Sequence, residues 1–407
     1  MDGGSGILAL FLSETLSYDG NRYATAISRA VETFGTLANY FEKLYLMVPV
    51  KLVDSLKETT PLNLSWDKTE IVHLPYFEGD ALQSRSGPLA FPWICLQAGS
   101  RIVQVLRKAD VVGATVPSLM GNFTSMLGRS LGKPVFHYVR GDAKAHLAAV
   151  HPSGFSYYFY QLASLGLDGY VKCAIARGLP TFVVGGGLFK KYSPFVKPRS
   201  HLAVSMPVLS GFFQPPWKGG TKKPRIDRPR LLFVGRLSKE KRVEDLLQGL
   251  NILRQQGIEA EVDIVGDGPE RKNLEDLAKQ LQLENVKFLG LVAYGYKLME
   301  LYHQADLFIL PSIVESLGAV LAEAMACGLP VVATDVDGIP TIVKHEWNGL
   351  LVSPQSPDQL ATAIKRIVSS PDLWNYLSRN SLETVEGYRV DFQMGKMVEI
   401  VKKICKN

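Results

Sequence analysis

The sequence lacks long apolar runs and clustered cysteines. A membrane-spanning helix needs about 20 consecutive apolar residues, and no stretch of the 407 residues reaches that length. The four cysteines, Cys95, Cys173, Cys327 and Cys405, are scattered, whereas metal sites and disulfide frameworks show close, recurring spacings. We therefore interpret them as reduced thiols packed inside a cytoplasmic protein.

A strong charge of one sign is also missing. The net charge is +6 and 21% of the residues are charged, which an anionic small ligand or an acidic membrane surface explains as well as nucleic acid. The N-terminus lacks the basic segment of a signal peptide. The mean hydropathy of +0.06 is somewhat apolar for a soluble enzyme. We expect a cytoplasmic protein without a nucleic-acid partner, with room for peripheral contact at the inner face of a membrane.

The order of apolar and helical patterns predicts an α/β protein. The chain is too long for one ordinary core, so two domains of about 200 residues are expected. Strands separated by helix-length segments imply parallel β-α-β units. In the first half, strands are predicted at 7–12, 43–48, 111–114, 134–139, 181–184 and 202–205, with helices in 21–42 and 143–178.

A break rich in proline, glycine and basic residues predicts a linker at 215–229. It separates an N-terminal domain, 1–214, from a C-terminal domain, 230–385, and a final helix covers 386–407. The second half restarts with strands at 230–234, 261–265, 286–289, 307–310, 330–334 and 349–352, and helices at 243–256, 270–280, 297–305, 317–327, 357–369 and 373–406. We predict two doubly wound domains with ligand at the carboxyl ends of the strands.

Two glutamates eight residues apart, Glu315 and Glu323, point to an elongated ligand. On one helix they would lie about 12 Å apart along the axis and about 80° around it. Gly318 lies between them, where unpaired helix amides offer an anion site. A nucleotide sugar has the matching shape, with hydroxyls at both ends and a diphosphate between them. Glu323 stands in an apolar helix, where a carboxylate needs hydrogen-bond partners; a position on an exposed stripe is the alternative.

Two further motifs follow predicted strands. Gly235, Arg236 and Lys241 come after the strand 230–234, and a guanidinium and an ammonium there can bind two phosphates. A solvated basic loop is the alternative. Gly266 and Gly268 lie in a Gly-Asp-Gly-Pro turn that lacks the third glycine of a dinucleotide fingerprint. We interpret this turn as backbone lining beside a nucleotide base, with a plain turn as the alternative.

These motifs together resemble retaining glycosyltransferases of family 4, which have the two-domain GT-B fold. The resemblance covers about residues 230–355 and rests on Gly-Arg-Leu with a following Lys, the Gly-Asp-Gly-Pro turn, and the stretch from Glu315 through Glu323-Ala-Met-Ala to Pro-Val-Val-Ala-Thr. Gly338-Ile-Pro and Asn348-Gly-Leu-Leu-Val also match. The fold would place two Rossmann-like domains across a cleft, with the final helix crossing back onto the first domain.

The resemblance implies specific roles in donor binding. Glu315 would bind hydroxyls of the donor hexose and Glu323 those of the ribose, while Arg236 and Lys241 would hold the diphosphate and stabilise the leaving nucleotide. The implied reaction uses no metal and no cofactor. Backbone contacts to the donor would come from Gly235, Gly266, Gly268, Leu317 and Gly318.

In the N-terminal domain the matches are thinner. Relatives place a glycine loop after the first strand, and here Gly20 and Asn21 would contact the donor phosphates, with a plain turn as the alternative. Where many relatives carry a histidine, this chain has Arg140-Gly-Asp142, so Arg140 would meet phosphate or acceptor and Asp142 the reacting centre or acceptor hydroxyl. His137, inside the predicted strand, is interpreted as a core residue.

The sequence therefore predicts a retaining hexosyltransferase. Its donor would be a nucleoside diphosphate sugar, UDP first and GDP second, and its acceptor a hydroxyl of a glycan or lipid-linked glycan in polysaccharide or cell-envelope synthesis. Two alternatives remain open. One is a non-catalytic nucleotide-sugar-binding relative that partners an active transferase, and the other is a nucleotide-sugar epimerase. The predicted catalytic residues are Arg236, Lys241, Glu315, Arg140 and Asp142.

Overall fold

The chain divides into two compact units, Met1–Pro207 with Val390–Asn407, and Val208–Arg389. Most of the predicted linker, 215–229, lies outside the described residues. No helix in the described part of the chain is both long and apolar enough to cross a membrane. The computed structural model describes residues 6–13, 15–25, 29–54, 60–62, 64–75, 87–141, 155–198, 201–204, 208, 212, 225, 228–292, 295–315, 318–336 and 338–405.

The first unit is built on a mainly parallel sheet of ten strands. The strands are β1 Ile7–Phe11, β2 Leu16–Tyr18, β3 Tyr23–Thr25, β4 Lys43–Leu52, β5 Thr60–Pro61, β6 Thr69–Leu74, β7 Val111–Val116, β8 Val135–Val139, β9 Thr181–Val183 and β10 Leu202–Val204. The helices are α1 Arg29–Gly35, α2 Gly87–Lys108, α3 Leu119–Ser130, α4 Phe155–Ala176 and α5 Gly186–Tyr192. The central run is β6-β4-β1-β7-β8-β9-β10, parallel throughout. Its inner strands are apolar along most of their length because both faces are covered.

One helix prediction in this unit is wrong in its first residues. The segment 21–42 is predicted to be helical, and α1 with the following 3₁₀ helix, Thr36–Asn39, confirms this for its later part. Tyr23–Thr25 forms β3 instead, which pairs with β2 in an antiparallel hairpin, with Tyr18 opposite Tyr23. The two rings stack with centroids 4.5 Å apart, and the Tyr23 hydroxyl lies 2.6 Å from His73 Nε2. These cross-strand aromatic contacts stabilise a strand where the local pattern suggested a helix. The predicted burial of all thiols also fails at Cys173, which is exposed.

The second unit has a six-stranded parallel sheet in the order β13-β12-β11-β14-β15-β16. Its strands are β11 Arg230–Val234, β12 Glu261–Val265, β13 Val286–Gly290, β14 Leu307–Leu310, β15 Val331–Thr334 and β16 Gly349–Val352. Its helices are α6 Val243–Gln255, α7 Arg271–Gln280, α8 Tyr296–Gln304, α9 Ala319–Ala326, α10 Ile339–Ile342, α11 Pro357–Val368 and α12 Pro371–Val385. Each strand begins within one residue of its predicted start, because buried parallel strands read as continuous apolar runs.

The predicted terminal helix, 373–406, is two helices. A single 3₁₀ turn, Glu386–Tyr388, follows α12, and Arg389 then adopts extended backbone with φ −54° and ψ 135°. Arg389 pairs with Val208 in an isolated bridge, which accounts for the break in the helix. Helix α13, Val390–Cys405, belongs to the first unit, where Tyr40 donates its hydroxyl to the Asp391 carbonyl at 3.0 Å.

Candidate active site

The second sheet reverses its strand order between β11 and β14. Numbered within the unit, the strands lie in the order 3-2-1-4-5-6, the pattern of doubly wound dinucleotide-binding folds. In such sheets, ligands bind beyond the carboxyl ends of the strands at the point of reversal. The loop after β11 contains Arg236 and Lys241, and the loop after β14 contains Glu315 and Gly318. The topology therefore brings four predicted site residues to one edge.

An ion pair joins these two loops. Lys241 Nζ lies 2.5 Å from Glu315 Oε2, and both side chains are largely buried. The backbones are tied together as well, because the Ile313 amide donates to the Glu240 carbonyl at 2.9 Å. The Glu315 carbonyl accepts from the Gly338 amide at 3.1 Å, which fixes the loop to the start of α10. An ammonium and a carboxylate predicted to bind different parts of one ligand are thus side by side.

The glycines after β11 and β12 allow close backbone packing. Gly235 donates its amide to the Val265 carbonyl at 3.0 Å. Gly266 has φ +132°, and a Cβ there would lie 1.8 Å from the Gly235 carbonyl oxygen. A Cβ on Gly268 would lie 2.3 Å from the Leu237 carbonyl oxygen. Both positions require glycine because the β12 turn lies directly against the loop that carries Arg236.

The Arg236 side chain is exposed, and its guanidinium forms no hydrogen bond or ion pair with the residues that the structure describes, while its carbonyl accepts from the Ser238 amide at 3.1 Å. The nearby carboxylate of Glu240 accepts from the Ser238 hydroxyl at 2.5 Å. Burial would raise the pKa of Glu240, but this hydrogen bond and the charges of Lys241 and Arg236 hold it below its usual value. The carboxylate is therefore ionised and partly offsets a local excess of positive charge.

The helix after β14 begins later than predicted. Gly318 adopts the left-handed conformation, φ 68° and ψ 63°, and caps α9, whose first residue is Ala319. Glu315 consequently lies in the preceding loop, and the expected separation along one helix axis does not apply to it. Leu317 lies outside the described residues. The N-terminus of α9 lies immediately after the loop that holds Glu315. The Leu321 amide in its first turn donates to the Gly318 carbonyl at 2.7 Å, and the amides before it have no carbonyl partner within the helix.

Glu323 lies inside α9 and is only 2% exposed. Its position excludes the exposed-stripe alternative. Tyr302, on α8, donates its hydroxyl to Glu323 Oε2 at 2.9 Å and is itself fully buried. A carboxylate in this apolar helix was expected to need a hydrogen-bond partner, and Tyr302 is that partner, although the sequence did not identify it. The sequence gives little indication that Tyr302 is the partner, since nothing in the pattern of α8 shows which side chain reaches α9.

In the first unit, Gly20 and Asn21 lie in the turn of the β2–β3 hairpin and not in a loop directly after β1. The Asp19 carboxylate accepts from the amides of Asn21 and Arg22, at 3.0 and 2.8 Å. Two amides are thereby occupied, and an anion would meet a carboxylate. The geometry favours a plain turn, and donor contact at Gly20 and Asn21 stays a prediction.

The first sheet reverses its order between β1 and β7, and the polar residues at that reversal were not among the predicted site residues. Beyond β1, the Ser13 amide donates to Thr115 Oγ1 at 2.9 Å. Beyond β7, the Ser118 side chain caps α3 by accepting from the Gly121 amide at 3.0 Å. Their position in the sequence could have identified these residues, because polar residues directly after an apolar strand mark the ligand-binding edge of such a sheet.

Arg140 directly follows β8 and is exposed, whereas Asp142 lies outside the described residues. His137 is fully buried in β8, which confirms its assignment to the core. Its Nε2 lies 2.7 Å from Ser125 Oγ, which lies 2.7 Å from the Tyr170 hydroxyl. Burial lowers the pKa of His137 to about 3, so this histidine is neutral inside the core.

An acidic pair after β15 was not among the predicted site residues. Asp335-Val-Asp337 is an Asp-x-Asp motif just after β15. Asp335 is exposed, and Asp337 lies outside the described residues. Among the described residues, no group of three or more His, Cys, Asp or Glu side chains could hold a metal ion. Metal independence stays a prediction.

Comparison with known protein families identifies the second unit. Residues 221–384 match the family described as Glycosyl transferases group 1. An uncharacterized glycosyltransferase of Methanocaldococcus jannaschii is 39% identical over 179 residues, which are 43% of this chain and 45% of the relative. The match therefore spans less than half of that relative. The chain contains a glycosyl transferases group 1 domain and has glycosyltransferase homologues.

Solved structures show the fold of the whole chain. Sucrose-phosphate synthase from Thermosynechococcus elongatus superposes with a TM-score of 0.70 at 18% identity, over 98% of this chain and 99% of that one. HepE of Anabaena, solved with UDP and glucose, superposes with a TM-score of 0.67 at 17% identity, over 98% and 100% of the two chains. These likenesses confirm the predicted GT-B fold with two Rossmann-like α/β domains.

Proposed function

We propose that this protein is a retaining, metal-independent hexosyltransferase. It would transfer a hexose from a nucleoside diphosphate sugar to a hydroxyl of a glycan or lipid-linked glycan in polysaccharide or cell-envelope synthesis. The observation that carries the proposal is the meeting of Lys241 and Glu315 at the strand reversal of the group 1 domain. Exposed Arg236 and the N-terminus of α9 supply further positive potential at the same edge.

Lys241 contributes to binding both the hexose and the diphosphate of the donor. An ammonium has three N–H donors, so Lys241 can keep its bond to Glu315 while it donates to the diphosphate. This bond also orients the Glu315 carboxylate, which would accept hydroxyls of the hexose. Arg236 would bind the diphosphate through two parallel N–H groups. Positive groups fixed before the reaction stabilise the charge that develops on the leaving nucleotide.

Transfer breaks the bond between the anomeric carbon and the diphosphate oxygen. The acceptor oxygen bonds to the same carbon on the same face, and the acceptor proton passes to the departing diphosphate. This front-face route needs no carboxylate nucleophile. Arg140, exposed at the end of β8, would contact acceptor or phosphate, and Asp142 the acceptor hydroxyl. The acceptor is a glycan or glycolipid, so peripheral contact with the inner face of a membrane would suit a lipid-linked one.

UDP is the first nucleotide to test. The structural neighbour HepE was solved with UDP and glucose, and its whole-chain likeness supports UDP sugars as first probes. GDP sugars are the second set. A ligand at about 100 times its Kd stabilises a protein by about 2.7 kcal/mol, so a thermal-shift panel separates binders from non-binders.

The decisive experiment combines that panel with turnover. We expect one nucleotide sugar to raise the Tm of the wild type, and Glu315→Gln to reduce the shift. The matched control is Glu346→Gln, which breaks an exposed ion pair with Arg366 in the same unit and should leave the shift unchanged. With acceptor glycans, NMR should show a product anomer of the same configuration as the donor.

Other outcomes identify the alternatives. An inverted anomer contradicts retention, and conversion of the donor without any acceptor indicates an epimerase. A clear thermal shift without turnover on any acceptor indicates the non-catalytic relative, if turnover appears only after an active transferase partner is added. If no nucleotide sugar shifts the wild type, the site assignment in the second unit is wrong.

A further inference from the structure

A buried tyrosine supports the second glutamate of the site. The Tyr302 hydroxyl donates to Glu323 Oε2 at 2.9 Å, and this bond links α8 to α9. Both residues are buried, with exposures of 0% and 2%. The bond crosses 21 positions of sequence, so it is a tertiary contact and not a by-product of helix periodicity.

The tyrosine ring is fixed by aromatic neighbours. Its centroid lies 5.8 Å from that of Phe212 in an edge-to-face arrangement and 5.6 Å from that of Phe308, on β14. Such contacts favour one ring orientation. The hydroxyl is therefore held at a set position relative to β14, the strand whose following loop carries Glu315.

A buried carboxylate needs hydrogen-bond donors. An ionised carboxylate accepts about four hydrogen bonds, and the bond from Tyr302 is one of these. The surroundings in α9 are apolar, because Leu321, Ala322, Ala324 and Met325 are all buried. In such surroundings, a fixed donor determines the orientation of the carboxylate before any ligand binds.

We propose that Tyr302 is a positioning residue that orients Glu323 for the ribose hydroxyls of the donor nucleotide. The inference rests on the proposed function, which assigns the ribose to Glu323. In this role Tyr302 would touch no substrate atom. It acts through the carboxylate, so its removal weakens ligands that carry ribose hydroxyls and spares ligands that lack them.

The test compares UDP with 2′,3′-dideoxy-UDP by isothermal titration calorimetry on the intact protein. If the donor panel selects GDP, the corresponding guanosine pair replaces them. Hydrogen bonds to a charged acceptor contribute about tenfold or more each, so the wild type should prefer UDP by about 100-fold. Tyr302→Phe keeps the ring and removes the hydroxyl. It should weaken UDP binding about tenfold and change dideoxy-UDP binding by less than about twofold.

The first unit offers a matched control. Tyr192 is fully buried and donates its hydroxyl to Asp168 Oδ1 at 2.7 Å, and Asp168 is 5% exposed. Tyr192→Phe therefore removes the same kind of bond, from a buried tyrosine to a buried carboxylate, away from the proposed ribose site. It should lower the Tm no more than Tyr302→Phe does, because the ion pairs with Lys172 and Lys191 still hold Asp168. It should leave the preference for UDP over dideoxy-UDP unchanged.

A second variant separates positioning from packing. In a Glu323→Gln background, Tyr302→Phe should have little further effect on the UDP preference, because the carboxylate it orients is gone. Equal weakening of both ligands by Tyr302→Phe, or an unchanged UDP preference, would overturn the role of Tyr302 and leave the proposed function standing. A wild type that does not distinguish the two ligands would overturn the ribose assignment of Glu323 itself.

Discussion

The two sheets reverse their strand order in the same way but differ in the side chains at the reversal. In the second unit, that edge carries the Lys241–Glu315 ion pair and exposed Arg236. In the first unit, the corresponding contact joins the Ser13 amide to the Thr115 hydroxyl. The topology places a site in both units, but the residues after the strands determine its chemistry. Lys241 and Arg236 suit a diphosphate, whereas the Ser13–Thr115 contact offers no charge to one.

The largest expected effect is a loss of turnover, and it is expected only when residues at the charged edge of the second unit are changed. Glu315→Gln removes the carboxylate that orients Lys241 and binds the hexose, and Lys241→Met removes the ammonium that faces the leaving diphosphate. Losing one such stabilising group costs about 100- to 1,000-fold in kcat. Asn21→Ala, in the first unit, should change kcat by less than about twofold, because the hairpin turn is held by Asp19 and not by a ligand. Initial rates of nucleotide release in the presence of acceptor measure both.

The comparison fails if Asn21→Ala lowers turnover as much as Glu315→Gln does. In that case the hairpin of the first unit takes part in donor binding. A loss of rate with Lys241→Met that is fully explained by a lower Tm would also remove the electrostatic argument. Circular dichroism and thermal melts of each variant at the assay temperature provide the necessary control.

A second pair of variants compares backbone packing in the two units. Gly266→Ala places a Cβ 1.8 Å from the Gly235 carbonyl oxygen at φ +132°, so the two loops must separate. Gly20→Ala meets no atom within 4 Å, although its φ is +95°. We expect a loss of about 3 kcal/mol or more for Gly266→Ala and about 1 kcal/mol for Gly20→Ala. Denaturant titrations measure both, and similar losses would contradict the close packing of the β11 and β12 loops.

The next prediction concerns acid stability of the first unit. Burial lowers the pKa of His137 to about 3 in the folded protein, whereas an unfolded histidine has a pKa of about 6.5. The unfolded state therefore binds more protons between these values, and stability falls as the pH drops below about 6.5. At pH 5, the loss is about 2 kcal/mol relative to pH 8. His137→Gln should remove this part of the pH dependence, as seen in denaturant titrations at several pH values. An unchanged slope would mean that His137 is protonated in the folded state.

Much of the second unit could be predicted from sequence because its signals are local. Its parallel strands are buried on both faces and read as apolar runs, and charged residues directly after β11 and β14 mark the ligand edge. The left-handed conformation of Gly318 could not be predicted, so the helix was predicted to begin at 317, whereas it begins at Ala319. Lys241 and Glu315 are 74 positions apart in the sequence. They meet because β11 and β14 are neighbours in the sheet, and the sequence alone does not show which strands are neighbours.

The first unit was predicted less well because its irregular features depend on tertiary contacts. The short strand Tyr23–Thr25 has too few residues for a periodic signal, and its stability comes from Tyr18 and His73. Tyr302 and Glu323 in the second unit show the same limit, since α8 presents several side chains and only the fold selects the one that reaches α9. Local patterns thus predict strands and their edges, while partners between elements need the structure.

The smallest expected effect is that of a chelator. The proposed site already opposes the diphosphate with the ammonium of Lys241, the guanidinium of Arg236 and the N-terminus of α9, so a divalent cation would add little to charge stabilisation. Turnover should change by less than about twofold on dialysis against EDTA. Asp335→Asn should likewise retain activity, although Asp335 belongs to the Asp-x-Asp motif. A large loss in either experiment, restored by Mg²⁺ or Mn²⁺, would show that the charged edge is incomplete without a metal ion.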